Sequence, residues 1–423
     1  MNILWIATKE PWPPVDGGRL LMALTLEALA ELGHRVTVVA PRRLGDPPAD
    51  ERLVDDLPDG VVLRPVASSF RAKLLDLAAA WPRACPFSIQ RHSCRPCREA
   101  AADLWQGGAF DVVHVEQVQA LANVPDAVWR DGAPVVLRAQ NVESDLWFRL
   151  APHRGLGAPA LRLEGRFLAR YEGRAVRRCA VAALTDEDRD RLASLGGSAL
   201  TAPRRVFPPF PAEQPAGRMK LDGAPPLVVL GSTGWLPNRQ GADWFLRSIW
   251  PDLWRRQPQA RLHLFGDHSA GVLPDGTGVL PDGTGVLPDG TGVLPDGTVV
   301  HAPPERSEDV FVPGAVLVVP LHIASGIRMK ILEAWSRGVP VIATSTAARG
   351  LGAVHGEHLF IADDVDDFDV ALDRLRRPEV YGEMVAAGRR RLVAEHEPRR
   401  IAGLLAELYA SARVTAKGAG AAS

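Results

Sequence analysis

The sequence predicts an α/β protein of two Rossmann-like domains facing across a cleft. Three observations predict it. Short, almost continuous apolar runs alternate with stretches of helical period, as parallel strands and their crossover helices do. The alternation stops in a stretch with seven prolines, 203–226. It then restarts, which makes that stretch a linker between two domains.

In the first domain, Ile3-Leu4-Trp5-Ile6-Ala7 reads as a buried strand. A turn through Gly17-Gly18 follows, and Leu20, Leu21, Leu24 and Leu29 fall at helical spacing before Gly33 ends the helix. Val36–Ala40 is the next strand, and this strand–loop–helix–strand unit opens a Rossmann-like fold. Further strands are expected at 112–115, 134–137 and 180–184. After the linker, strands are expected at 227–231, 261–266, 316–320, 339–344 and 359–362, with a helix over Lys330–Trp335. The expected boundaries are 1–205 for the first domain, 206–226 for the linker and 227–390 for the second. A C-terminal helix over 391–413 and a disordered tail over 414–423 complete the chain. Four identical Gly-Val-Leu-Pro-Asp-Gly-Thr heptads fill 271–298; they read as a tandem expansion of one surface loop, without chemistry of its own.

With 49 basic and 50 acidic residues the net charge is −1, so nothing points to nucleic acid. No run of 18 apolar residues appears and the start has no basic segment ahead of its short apolar run, so the expected location is the cytoplasm. Cys94-Arg95-Pro96-Cys97 has metal-type spacing but lacks a second pair, and an incidental surface segment is the expected reading. Arg162, Arg166, Arg170, Arg174 and Arg178 recur every four residues, partly offset by Glu164 and Glu172. A solvated helix face is the simpler reading; docking to an anionic membrane face or a lipid-linked acceptor is the other. The acidic run Asp363–Asp367 falls between a strand and a helix, where capping is expected rather than a metal.

The strongest motif runs from Ser325 to Ala334: Ser-Gly-Ile-Arg-Met-Lys-Ile-Leu-Glu-Ala. With Ser325 as N-cap, Arg328 lies in a first turn whose free N–H groups suit phosphate oxygens. Lys330 and Glu333 lie about 60° apart on one face, placing a carboxylate one turn below a phosphate site. A Lys330–Glu333–Arg337 salt-bridge ladder is the alternative.

The block from Pro320 to Leu351 resembles the donor site of the family 4 glycosyltransferases, a retaining GT-B family whose bacterial members build polysaccharides and other glycoconjugates. The loop Pro13-Pro14-x-x-Gly17-Gly18-Arg19, the stretch Arg138-x-Gln140-Asn141-Val142-Glu143-Ser144, and Gly231-Ser232 with Trp235-x-Pro237-Asn238 are similar to further blocks of that family, in its order. The resemblance implies a nucleotide-diphosphate sugar as donor and a glycan, lipid-linked or small-molecule acceptor. It implies that Ser232, Ser325, Gly326 and Ile327 bind the donor, with Gly17 and Gly18 passing close to its phosphates. Arg328 and Lys330 fall in the diphosphate turn, and Glu333 matches the glutamate that binds the ribose. Two positions depart from the family pattern: Ser325 replaces a glutamate, and Gln140 stands where a histidine near the reacting carbon is common. No cofactor or metal is expected, because cations and a helix end meet the phosphate charge. A nucleotide-sugar epimerase on the same fold, or a non-catalytic nucleotide-sugar-binding partner of a transferase, are the alternative functions.

Overall fold

The computed structural model describes residues 1–43, 57–68, 80, 82, 84–197, 201–231, 235–266, 278–279, 285–286, 297–304 and 306–420. The chain divides into two compact units. The first holds Met1–Pro209, Ser325–Ile327 and Pro398–Ser423, and the second holds Phe210–Ala324 and Arg328–Glu397.

The first unit is built on β1 (Asn2–Ile6), β2 (Arg35–Arg43), β3 (Val61–Ser68), β4 (Val112–Glu116), β5 (Val135–Ala139), β6 (Ala180–Ala183) and β7 (Arg204–Arg205). All pair in parallel, in the order β3-β2-β1-β4-β5-β6-β7. The second unit holds β8 (Pro226–Leu230), β9 (Arg261–Phe265), β12 (Thr298–His301), β13 (Val316–Val319), β14 (Val341–Ala343) and β15 (Phe360–Ile361), again parallel, in the order β12-β9-β8-β13-β14-β15. Each sheet therefore reverses its strand order once, at β1/β4 and at β8/β13. Ligands of doubly wound sheets bind outside the carboxyl ends of the strands at such a point. Between β9 and β12, the two-residue strands β10 (Gly278–Val279) and β11 (Gly285–Val286) pair antiparallel within the heptads; the rest of the repeat lies outside the described residues.

The cores follow from the apolar runs. Ile3, Leu4, Trp5 and Ile6 of β1 are fully buried, as are Val316, Leu317, Val318 and Val319 of β13 to within 1%. The strand β3 carries Pro65 and varies in exposure along its length, as suits the edge of the sheet, so its sequence lacks the continuous apolar run of the central strands. The first crossover helix, α1 (Gly17–Glu31), buries Leu21, Met22, Leu26 and Leu29. Helix α2 (Arg95–Gly107) starts with Cys94 as N-cap, and both Cys94 and Cys97 are buried in the core, not on the surface. Helices α3 (Glu143–Leu150), α4 (Ala158–Arg178) and α5 (Asp186–Gly196) complete the first set. The five arginines of α4 are exposed. Glu164 and Glu172 do not lie among them: both are buried, Glu164 accepting from the Phe87 and Ser88 N–H groups and Glu172 from Glu143 N and Ser144 Oγ.

The proline-rich stretch is not a solvated tether at its start. Val206, Phe207 and Phe210 are buried, and the carbonyls of Pro211 and Pro215 accept from Ser336 and Arg337. At the other end, the single helix over 391–413 is corrected to two, broken at Pro398. Helix α6 (Pro378–His396) ends at Glu397, which proline forces into extended backbone, and α7 (Pro398–Gly420) follows. The expected disordered tail from 414 is helical to Gly420. Its Ile401, Leu405, Leu408, Tyr409 and Ala412 form an apolar stripe that joins Trp5, Met22 and Leu26 in the first unit's core.

Candidate functional site

In the second unit, the switch point lies between β8 and β13. Gly326 takes φ +68°, which keeps the segment after β13 out of helix. The helix α8 (Met329–Arg337) therefore starts later than the motif suggests: its N-cap is Arg328, with no side-chain cap, and not Ser325. Arg328 is buried. Lys330, in the first turn, donates to the Leu230 carbonyl at the end of β8, 2.5 Å away. Burial pushes its ammonium down to about 8. One turn on, Glu333 is buried and accepts from Ser307 Oγ at 2.9 Å and Arg337 Nε at 3.2 Å. Burial raises its carboxyl above the usual range, against the pull of Ser307 and Arg337. The Glu333–Arg337 rung of the alternative ladder is thus present, but Lys330 turns to β8. Ser232 lies outside the described residues. Asp364 caps the helix over Val365–Leu375 by accepting from Asp367 N, and Asp363 accepts from Ser345 N. Among the described residues no cluster of three or more His, Cys, Asp or Glu is arranged to hold a metal.

In the first unit, the residues after β1, β4 and β5 meet. Asp16 caps α1, accepting from Gly18 N and Arg19 N, and pairs with Lys9 at 2.7 Å and Arg19 at 2.5 Å. Burial pushes the Asp16 carboxyl up, but Lys9 and Arg19 outweigh it and hold it below its ordinary value. A Cβ at Gly18 would stand 3.2 Å from both Gln140 Oε1 and Lys9 Nζ, so a side chain there would press on both groups. Gln140 Oε1 accepts from Gln117 Nε2 at 2.7 Å, and Gln140 Nε2 donates to Glu116 Oε1 at 2.8 Å. Glu116 is fully buried and receives Arg138 through Nε and Nη2, at 2.9 and 2.6 Å. Burial pushes the Glu116 carboxyl up, but Arg138 and His114 hold it well below the carboxylate range, at about 2.

Of the sequence-predicted residues, Lys330 and Glu333 thus fall on one short helix of the second unit, with Arg328 as its N-cap, and Gly17, Gly18 and Gln140 fall together in the first, to which Ser325, Gly326 and Ile327 also belong. Glu116, Gln117 and Thr8 were not singled out by the sequence. A carboxylate ending an otherwise apolar strand, as Glu116 ends Val-Val-His-Val-Glu, was the signal that could have found them.

Residues 225–377 match the family model described as glycosyl transferases group 1. Over these residues the chain carries a glycosyltransferase domain. Solved structures extend the likeness to the whole fold. Sucrose-phosphate synthase from Thermosynechococcus elongatus superposes with a TM-score of 0.66 at 14% identity, covering 97% of this chain and 98% of that one. The Anabaena protein HepE, in complex with UDP-glucose, gives 0.60 at 12% identity, covering 97% and 100%. The fold is therefore GT-B, two parallel-sheet Rossmann-like domains. A curated relative, an uncharacterized 44.6 kDa protein in the cps region of Klebsiella pneumoniae, is 22% identical over 127 residues, 30% of this chain; the match spans only 31% of that protein. The glycosyltransferase domain contains β8, β13 and α8, so Lys330 and Glu333 lie inside the matched segment. No helix among the described residues is long and apolar enough to cross a membrane.

Proposed function

We propose that the chain is a retaining glycosyltransferase that moves a sugar from a nucleotide-diphosphate sugar to a hydroxyl of a glycan, lipid-linked or small-molecule acceptor. One observation carries this reading: within the glycosyltransferase domain, Lys330 and Glu333 stand one turn apart on α8, whose first turn meets the end of β8. Phosphate favours the charged form of an ammonium and the amino end of a helix. A ribose hydroxyl suits a carboxylate one turn on. The donor binds through Ser232, Ser325, Gly326, Ile327 and Glu333, with Gly17 and Gly18 near its phosphates. Arg328 and Lys330 act on the reaction itself: the bond between the anomeric carbon and the diphosphate oxygen breaks, and they stabilise the charge that develops on the leaving diphosphate. The acceptor oxygen bonds to the same face of that carbon, and its proton passes to the departing diphosphate. Gln140 meets a sugar hydroxyl beside the reacting carbon. No metal is required, because these cations meet the diphosphate charge. The HepE complex supports UDP-glucose as the first donor to try, and the cps-region relative supports polysaccharide assembly as the setting.

A panel of nucleotide sugars screened by thermal shift tests the donor, because a ligand of the folded state raises apparent stability by mass action. Transfer to a sugar acceptor is then followed by NMR of the anomeric configuration. Donor binding with a retained configuration supports the reading; an inverted product overturns the retaining mechanism, and a panel with no binder overturns the function.

A further inference from the structure

We infer that Glu116 is a positioning residue for Gln140, fixing its amide so that the carbonyl Oε1 is the atom offered to a sugar hydroxyl beside Gly18. The inference deepens the proposed function and rests on it for the identity of the ligand; the contact itself stands on geometry.

The hydrogen bonds admit one polarity. Glu116 is ionised and can only accept. Gln140 must therefore turn its NH2 to Glu116 Oε1, 2.8 Å away, which leaves Oε1 on the other side. That oxygen takes one hydrogen from Gln117 Nε2 at 2.7 Å, and Gln117 Oε1 takes one from Thr8 Oγ1 at 2.8 Å. His114 Nε2, 3.2 Å from Glu116 Oε2, must carry the proton, so its Nδ1 accepts from Tyr409 Oη at 2.8 Å. The imidazole is stacked on Trp5 at 3.6 Å and fully buried, and burial lowers its pKa to about 4, so it stays neutral. Thr25 and Trp5 close around Arg138 from α1 and β1.

A directed chain thus runs from Tyr409 on the C-terminal helix, through His114 and Glu116, to Gln140. One end is rigid core. The other end is the residue that follows β5. Gln117 completes the bracket with φ +71°, a left-handed backbone that a non-glycine residue holds only when its surroundings fix it. Its N–H is held by the Arg138 carbonyl at 2.9 Å. Gln140 Oε1 keeps a second lone pair, and the oxygen stands beside Gly18 in the first turn of α1, where a Cβ would come within 3.2 Å of it. The carboxylate behind the amide polarises it and strengthens that lone pair as an acceptor.

Removing Glu116 would strand a buried Arg138, so the test uses Gln140→Glu, which keeps the shape. A carboxyl at 140 can satisfy Glu116 only as a proton donor, so the two acids share one proton. The charged groups around them are Arg138 and, around the start of α1, Lys9, Asp16 and Arg19; His114 and Tyr409 face Glu116 from behind. The folded pKa of the pair lies above its unfolded value, so the stability it contributes is present at low pH and lost as pH rises. Q140E is expected to melt with the wild type near pH 5 and well below it at pH 8.5. Equal melting across that range would overturn the contact. In the kinetic arm, Q140E is expected to keep kcat within a few-fold at pH 5.5 and to lose at least about tenfold at pH 8.5, while Gln140→Leu loses it at both. Affinity for UDP, which lacks the sugar, is expected to stay at wild-type level throughout. A Q140L protein with wild-type kcat would overturn the role of the amide oxygen. A wild-type protein that transfers no sugar would sink the proposed function instead, and the melting arm would still decide the Glu116–Gln140 contact.

Discussion

Lys330 Nζ stands 2.5 Å from the Leu230 carbonyl oxygen, so the cation after β13 is held against the last residue of β8. Burial has already pushed that ammonium down to about 8. A diphosphate beside it favours the charged form and raises its pKa. Donor binding should therefore take up a proton once the pH exceeds about 8, and affinity for UDP should weaken from there toward pH 10, by at most about tenfold per pH unit. Lys330→Met should bind less tightly and lose this slope. Calorimetry in two buffers of different ionisation enthalpy reads the proton directly, and a flat wild-type profile would remove Lys330 from the phosphate.

Glu333 and Lys330 should act on different parts of the reaction. Lys330→Ala removes a charge-assisted contact that strengthens as the diphosphate leaves, so kcat should fall along with donor affinity, by about 1.5–3 kcal/mol in the transition state. Glu333→Ala removes contacts to hydroxyls that do not change during transfer, and should raise donor KM with a smaller effect on kcat. Arg337 keeps its bonds to the Pro215 carbonyl and Glu308 in that variant, so the helix should stay folded. Steady-state kinetics with varied donor separates the two; normal donor KM in a folded E333A protein would leave only its bonds to Ser307 and Arg337 as its role.

These two residues were legible because the chemistry and the helix share one short motif. The strands were legible for a similar reason: both faces of a parallel sheet are buried, and the chain spells that out as runs such as Val316–Val319. The capping detail was not. Gly326 adopts a positive φ that no pattern of neighbouring residues announces, and it moved the helix start from Ser325 to Arg328. Gln140 was legible only as a family position, since its partners Glu116 and Gln117 come from the end of another strand. Tyr409 is 295 residues from the His114 it binds. Contacts of that separation are set by the order of strands and the path of the last helix, which local periodicity does not encode.

The path of that last helix makes its own prediction. Leu405 is fully buried in the first unit's core, far along the chain from the strands it covers. Leu405→Ala should cost about 2–5 kcal/mol, the range for a large-to-small change in a packed core. Two units need not unfold together, so the loss should appear in one of two transitions. UDP, whose phosphate and ribose partners Lys330 and Glu333 lie in the second unit, should protect the other transition more than this one. A denaturation series followed by calorimetry checks this. An unshifted transition for the first unit would mean that α7 does not support it.

The heptads provide the last test, which turns on length. Between Phe265 of β9 and Thr298 of β12 the chain has 32 residues, 266–297. β9 and β12 are parallel neighbours, so the connection must cross the sheet, which takes at least about 10–12 residues. Deleting 278–298 leaves 11, 266–276, and the repeat restores the same residues at the join: Gly276 and Thr277 take the places of Gly297 and Thr298. That matters because Gly297 has φ +74° and a Cβ there would meet Trp254 at 2.6 Å, while Thr298 is fully buried. Shortening the loop about threefold should raise stability by roughly 1 kcal/mol through loop-closure entropy, with donor binding unchanged. Deleting all of 271–298 leaves five residues, 266–270, to span a strand about 17 Å long and turn at both ends, and also removes Gly297 and Thr298. That protein should fail to form the second sheet. The two deletions are compared by thermal melting and by UDP binding. If the shorter deletion also unfolds the second unit, the repeats carry structure beyond closing a loop; if the longer one folds and binds, β9 and β12 are not joined as parallel neighbours.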